Sequence, residues 1–134
     1  VSARRVIHVR AGRLAVCRFS PDEPPPAWVL HREARFWSIT RTPGELSVVC
    51  AEDDLPPSVT AREGGWRALE LHGPIPFEIT GLLASIVTPL AEARVPVFAL
   101  STFDTDWVLV KERDLERAAV ALSGSFEIVE SVGS

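Results

Sequence analysis

The sequence predicts an α+β fold, and three observations carry that prediction. Residues 66–130 switch between two-residue and helical periodicity in the order strand, helix, strand, strand, helix, strand. The first half is rich in strand residues but has a run of prolines where the same plan would place its first helix. The chain is 134 residues long, 46% hydrophobic and 24% charged. That is the make-up of an ordinary globular protein, with room for one domain or two very small ones.

Each element has a local cause. Residues 4–9 and 13–19 are β-rich and flank Ala11-Gly12, which predicts a hairpin. Ser20-Pro21-Asp22-Glu23-Pro24-Pro25-Pro26 cannot be helical, because consecutive prolines remove backbone donors and fix φ; an extended loop leading to Trp28 is expected. Residues 35–41 and 45–51 predict a second hairpin, turning at Thr42-Pro43-Gly44. Asp53 to Gly65 reads as a polar connection with at most a short helix. Trp66 to Leu71 alternates as a strand, and Gly73-Pro74-Ile75-Pro76 breaks it. Ile79, Leu82, Leu83, Ile86 and Leu90 then fall at helical spacing, with Thr80 as the predicted N-cap and Pro89 as a kink in the last turn.

Val95–Leu100 reads as a strand, and Pro96 marks it as an edge strand, where a missing N–H is tolerated. Ser101 to Thr105 is a tight connection and Asp106–Lys111 a further strand. Leu115, Ala118, Ala119 and Leu122 mark a second amphipathic helix. Glu112, Asp114 and Glu116 suit the positive end of its dipole, Gly124 suits C′, and Phe126–Val129 is the last strand. The order in 66–130 is therefore ferredoxin-like, an antiparallel sheet with both helices on one face. The first half repeats the plan without its first helix. The expected division is 1–65 as a degenerate N-terminal unit and 66–134 as a complete C-terminal one.

The formal net charge of −4 argues against a nucleic-acid binder held by phosphate contacts. No apolar run approaches the roughly 18–20 residues that span a bilayer. Val-Ser-Ala-Arg-Arg at the N-terminus lacks the apolar stretch of a secretory signal, so a cytoplasmic location is expected. Cys17 and Cys50 form no CxxC, and His8, His31 and His72 show no metal-ligand spacing, so no metal site and no cofactor are expected. Both cysteines sit in apolar strand-like runs, where a free thiol behaves as a small core residue. A disulfide would be out of place in a reducing compartment. No serine lies in a Gly-x-Ser-x-Gly turn and no Cys/His pattern is present, so no catalytic residue is expected.

Glu78-Ile79-Thr80-Gly81-Leu82-Leu83 resembles the D-x-P-G-L-L turn between the first strand and first helix of ACT domains, with Glu78 in place of Asp and Thr80 in place of Pro. Pro89 to Ala93, Val95 to Thr102, Asp104-Thr105-Asp106, Val108-Leu109-Val110, Phe36 to Thr42 and Glu45 to Cys50 extend the likeness over roughly residues 13–128. Together they resemble the small bacterial tandem ACT-domain proteins. Those are similar to the ACT domains of cytosolic arginine sensors and of the aspartate kinase regulatory region.

The resemblance implies a non-catalytic regulatory module. Such a module binds a small molecule, commonly an amino acid, where the strand-to-helix turn meets a strand edge. It implies ligand contacts at Pro76, Phe77, Glu78, Ile79, Thr80, Gly81 and Leu82, and at Val97, Phe98, Ala99, Ser101, Thr102 and Asp106. The physics is straightforward. A helix N-terminus offers free N–H groups to a carboxylate, and a glycine there lets a ligand approach the backbone. Exposed sheet edges must be paired or protected, and the family habit of joining them implies a homodimer.

Several residues keep two readings. Gly81 serves either a binding turn or close helix–sheet packing. Asp104 and Asp106 serve turn chemistry, or Asp106 pairs with a ligand cation. Ser101 and Thr102 donate to a ligand or satisfy turn backbone. Trp28, Trp37, Trp66 and Trp107 fill a core or cover a partner. Glu78 and Thr80 keep open a second function, a protein-interaction module that has lost its ligand.

Overall fold

A computed structural model of the chain describes residues 4–31 and 33–130; Val1-Ser2-Ala3 of the N-terminal stretch lies outside the described residues. The elements are β1 (Arg5–Val9), β2 (Leu14–Phe19), β3 (Ser38–Arg41), β4 (Leu46–Ala51), β5 (Arg62–Leu71), α1 (Leu82–Glu92), β6 (Val97–Ser101), β7 (Asp106–Lys111), α2 (Leu115–Leu122) and β8 (Phe126–Glu130). Short 3-10 turns occupy Ala27–Val29, Glu52–Asp54 and Glu112–Asp114. The architecture is α+β, as the periodicity predicts. Two compact units divide it: Gly12–Trp66, and the residues up to Ala11 together with those from Arg67 onward.

In the second of these, the C-terminal unit, the strand order is β8-β1-β5-β7-β6. Alternate residues of three strands, Ile7 and Val9, Leu69 and Leu71, Val108 and Val110, share one core with Ile86 and Leu90 of α1 and Ala118 and Leu122 of α2. Both helices therefore cover the same face. The strand period of two sets the sheet side of this core, and helical spacing sets the other. Pro89 lies inside α1, which continues to Glu92.

The pairing of β1 corrects the expected hairpin. β1 does not pair with β2; it runs antiparallel to β5, with Ile7 opposite Leu71, and parallel to β8, with Ile7 opposite Ile128. The sheet is accordingly mixed and not wholly antiparallel. The cause is burial. Ile7 and Val9 give β1 one apolar face, and a two-stranded hairpin would leave that face in water. In the helix-covered core both residues are almost completely buried.

The N-terminal unit is antiparallel throughout, β3 on β4, β4 on β2, and β2 on the first residues of β5. Its core holds Ala15, Cys17, Val29, Leu46, Val48, Cys50 and Leu55. It has no α-helix among its described residues. The second hairpin turns as expected: Thr42 N–H donates to the Glu45 carbonyl at 2.9 Å, and Thr42 Oγ1 accepts from the amides of Gly44 and Glu45. The proline loop is fastened from outside, by an Arg41 guanidinium that donates to the carbonyls of Pro21 and Glu23.

Cys17 and Cys50 are buried free thiols on adjacent strands. A hydrogen bond between them lowers the Cys17 pKa and, with burial, pushes Cys50 far up. Of the four tryptophans only Trp66 is buried, and Trp37 is largely exposed.

β5 begins at Arg62 and not at Trp66, running through Gly64-Gly65, which read as part of a connection. Its ladder with β2 shifts register between Leu14 and Val16, and Gly65 there has φ +76°. The Glu52 carboxylate holds this irregularity: Oε1 accepts from Gly65 N–H at 2.7 Å, and a Cβ on Gly64 would fall 2.3 Å from the same oxygen. The glycine pair is a bulge built around a carboxylate.

Candidate ligand-binding site

The site grows out of the chain leaving β5. Gly73 passes so close to the β6–β7 turn that an added Cβ would lie 2.9 Å from the Asp104 carbonyl oxygen. Ile75 N–H donates to that oxygen at 2.6 Å, and Thr105 Oγ1 donates to the Leu71 carbonyl at 2.5 Å. Thr102 N–H closes the turn onto the Thr105 carbonyl at 2.8 Å. Thr105 is consequently buried while Phe103 and Asp104 beside it are exposed. The segment 71–75 and the turn 102–105 are thus tied together by one main-chain bond and one from the Thr105 hydroxyl, a firm base for whatever stands on them.

Ile79 N–H next donates to the Pro76 carbonyl at 3.1 Å, making a turn before the helix. The N-cap of α1 is Gly81, at φ +82°, and not Thr80. A left-handed residue at this corner excludes the β-branched threonine and favours glycine. Ile79 consequently lies outside the helix and is 45% exposed, so its helical spacing does not place it in the core. An added Cβ on Gly81 would meet no atom within 4 Å, so glycine is required by φ and not by packing. The first bond of the helix runs from Ser85 N–H to the Gly81 carbonyl at 2.9 Å, and no side chain caps the first turn. The amides of Leu82, Leu83 and Ala84 therefore have no acceptor within the helix.

A cavity of about 250 Å³ lies against this corner, lined by Ile75, Pro76, Phe77, Ile79, Gly81, Leu82, Leu83, Ser101, Thr102, Phe103, Thr105 and Asp106. Its one carboxylate is Asp106, half-buried, with Oδ1 accepting from Ser101 Oγ at 2.5 Å. Phe77 and Phe103 are 71% and 80% exposed and meet edge to face, 5.1 Å between centroids and 85° between planes. Most of the wall is apolar. The polar groups are a carboxylate with its hydroxyl, two threonine side chains and the first turn of a helix.

The cavity brings together Pro76, Phe77, Ile79, Gly81, Leu82, Ser101, Thr102 and Asp106 of the residues singled out from sequence. Glu78, Thr80, Val97, Phe98 and Ala99 lie outside its lining. Glu78 and Thr80 are exposed on the turn, and Val97 packs against the helix-covered core. Ile75, Leu83, Phe103 and Thr105 line it without having been singled out. Each adjoins a residue that was, Ile75 beside Pro76, Leu83 beside Leu82, Phe103 beside Thr102 and Thr105 beside Asp106, and chain adjacency is the signal that would have found them. The inward position of Thr105 is set by its bond to Leu71, 34 positions away.

The remaining polar clusters sit elsewhere. His8 Nε2 and His72 Nδ1 are 3.0 Å apart, and His31 Nε2 lies 2.9 Å from Asp54 Oδ2. Burial, and then the Arg10 guanidinium, hold His8 below its ordinary pKa. Among the described residues no group of three His, Cys, Asp or Glu side chains could hold a metal ion. No helix of the described residues is long and apolar enough to cross a membrane.

Fold and cavity together define a class, tandem ferredoxin-like units with a metabolite-sized hollow at a helix start. A family model for the ACT domain matches residues 61–124, and a model described as an N-terminal domain matches residues 12–58. The chain is 34% identical over 109 residues to the cytosolic arginine sensor for mTORC1 subunit 1 of Bos taurus, covering 74% of this chain and 33% of that one. It thus spans about a third of the length of that curated relative. The crystal structure of protein Atu0741 from Agobacterium tumefaciens superposes with a TM-score of 0.88 at 34% identity, covering 98% of this chain and 97% of that one. The regulatory subunit of aspartate kinase from Thermus flavus shares the fold, with a TM-score of 0.66 at 12% identity, covering 94% of this chain and 100% of that one.

The chain belongs to the ACT-domain family.

Proposed function

We propose that this protein is a non-catalytic, cytoplasmic amino-acid sensor, and that its ligand occupies the cavity between the Gly81 corner and Asp106. One observation carries the reading: the uncapped first turn of α1 and the only carboxylate of the lining face the same small hollow. A ligand α-carboxylate accepts hydrogen bonds from the free amides at the helix start, where the dipole favours negative charge. A ligand ammonium or guanidinium pairs with Asp106, and the apolar wall takes the aliphatic part. The volume lies just below the about 300–1,000 Å³ of drug-sized pockets, which suits a single amino acid. The likeness to a protein named as an arginine sensor makes arginine the first ligand to test. The lining offers no histidine, lysine or cysteine to act as base or nucleophile, which supports a binding role and not a catalytic one.

Output follows from linkage. β6 borders the site and pairs only with β7 among the described strands, so a second copy could join this edge to form a homodimer. A ligand that binds the joined form better stabilises it by its differential affinity.

The test is a melting screen against the twenty amino acids followed by calorimetry. A ligand at 100 times its Kd adds about 2.7 kcal/mol of stability by mass action. Asp106→Asn should weaken binding of a cationic amino acid by about tenfold or more, since it removes a charged acceptor. A wild-type protein whose melting no amino acid shifts would end the sensor reading. It would leave the second one, an interaction module presenting the exposed Phe77–Phe103 pair, for which association with a partner protein is the measurement.

A further inference from the structure

The loop that replaces a helix in the N-terminal unit forms one wall of a larger opening. This cleft, of about 620 Å³, lies at the end of β2, and its polar lining includes Arg18, Ser20, Glu23, Ser58 and Thr60. Its wall is set from outside, because Arg41 holds the loop by the carbonyls of Pro21 and Glu23 and so leaves the Glu23 side chain unused.

Arg18 and Glu23 are both exposed and line the same cleft, yet neither forms an ion pair with the other or with any other described residue. A guanidinium and a carboxylate that line one opening without pairing match a molecule carrying both charges. The hydroxyls of Ser58 and Thr60 likewise have no partner among the described residues. Phe19, half-buried against the N-terminal core with its ring 6.5 Å from that of Trp28, also lines the cleft, as do Pro21, Val59 and Ala61.

We propose that this cleft is a second ligand site, for a zwitterion of short-peptide size. The peptide carboxylate takes the planar fork of Arg18, the geometry in which arginine binds carboxylates best. The terminal ammonium meets Glu23, the peptide group reaches the Ser58 and Thr60 hydroxyls, and a side chain lies on Phe19. Size separates this site from the other one. A free amino acid underfills 620 Å³, a volume well inside the range of pockets for larger ligands. The two cavities belong to different units, so this inference stands whether or not the cavity at Gly81 binds an amino acid.

The experiment is calorimetry and amide NMR on the full chain with glycyl-L-phenylalanine, its N-acetylated form, its C-terminal amide, and free phenylalanine. The intact dipeptide is expected to bind, with shifts centred on Arg18, Ser58 and Thr60, and each blocked form to bind about tenfold or more weakly because one charged contact is lost. Arg18→Gln and Glu23→Gln are expected to do the same. Both side chains are exposed, and only the Glu23 carbonyl serves the Arg41 clamp, so both variants should melt with the wild type. Asp106→Asn is expected to leave dipeptide binding unchanged. The proposal is overturned if the dipeptide gives no heat and no shifts. It is equally overturned if Arg18→Gln binds it as tightly as wild type, or if Asp106→Asn abolishes binding.

Discussion

Two substitutions at Gly81 separate the stability of the helix corner from its capacity to bind. Gly81→Ala adds a Cβ to a residue at φ +82°, in space where no atom lies within 4 Å. The whole cost is then left-handed backbone, about 1–2 kcal/mol. For a chain of this length each kcal/mol is worth roughly 3–6 °C in Tm, so a fall of about 3–12 °C is expected. Gly81→Asp should fall no further, because aspartate tolerates this conformation better than alanine and is favoured at an N-cap beside the positive helix end. Binding should reverse the order. The new carboxylate sits where the ligand's own carboxylate is proposed to lie. At a separation of roughly 4–6 Å and an effective dielectric of about 20, the two charges repel by about 3–4 kcal/mol, or 100- to 1,000-fold in affinity. The assay is a pair of melting curves for each variant, with and without the amino acid that stabilises the wild type. Gly81→Ala should lose stability and keep most of its ligand shift, whereas Gly81→Asp should lose the shift. An undiminished shift in Gly81→Asp, or wild-type melting of Gly81→Ala, would refute the reasoning.

Three further outcomes are expected. Glu52→Ala removes the acceptor for Gly65 N–H, and urea unfolding should show a loss of about 1–2 kcal/mol. Thr105→Val leaves the Leu71 carbonyl without its side-chain donor at a buried position, costing about 1–3 kcal/mol, and amide exchange should quicken at Thr102 and Ile75. The third outcome concerns pH. His8 is held below its ordinary value of 6.5, chiefly by burial and then by Arg10, so the unfolded chain takes up its proton first. Stability is therefore complete above about pH 6.5 and declines as pH falls through the folded-state value. His8→Gln should flatten the fall in Tm between pH 7.5 and 5, and an unchanged slope would show that His8 is not its source.

The elements that follow from local chemistry are those the sequence announces most clearly. Phe126 onward shows the two-residue alternation of a half-buried strand, Val108-Leu109-Val110 is a short, fully buried apolar run, and Thr42-Pro43-Gly44 carries its own turn signal. What local chemistry leaves open is partnership. Ile7 alternates with His8 whether β1 pairs with β2 or with β5 and β8, and only the helix-covered core decides between them. Gly64-Gly65 looks like a break because its acceptor, Glu52, lies upstream beyond a loop. The same division runs through the cavity. The Pro76–Leu82 stretch is visible as a turn motif, and Ser101, Thr102 and Asp106 by their place after an edge strand. Thr105 reads as a turn residue, and its burial follows only from the bond it donates to the Leu71 carbonyl. Gly81 is ambiguous in sequence for the opposite reason: either close packing or a positive φ calls for glycine, and only the empty space around its Cβ shows that φ is the cause.

The pairing of β1 has a consequence for how such a chain can be assembled by a genome. Val9 stands opposite Leu69, and Arg10 N–H donates to the Ala68 carbonyl at 2.9 Å. The points at which residues 12–66 depart and return are therefore neighbours on adjoining strands, close enough to be bridged by a tight reverse turn. The whole N-terminal unit is a parenthesis opened within a hairpin. The pairings of Ile7 and Val9 with Leu71 and Leu69, and the core they share with the helices, involve none of its residues.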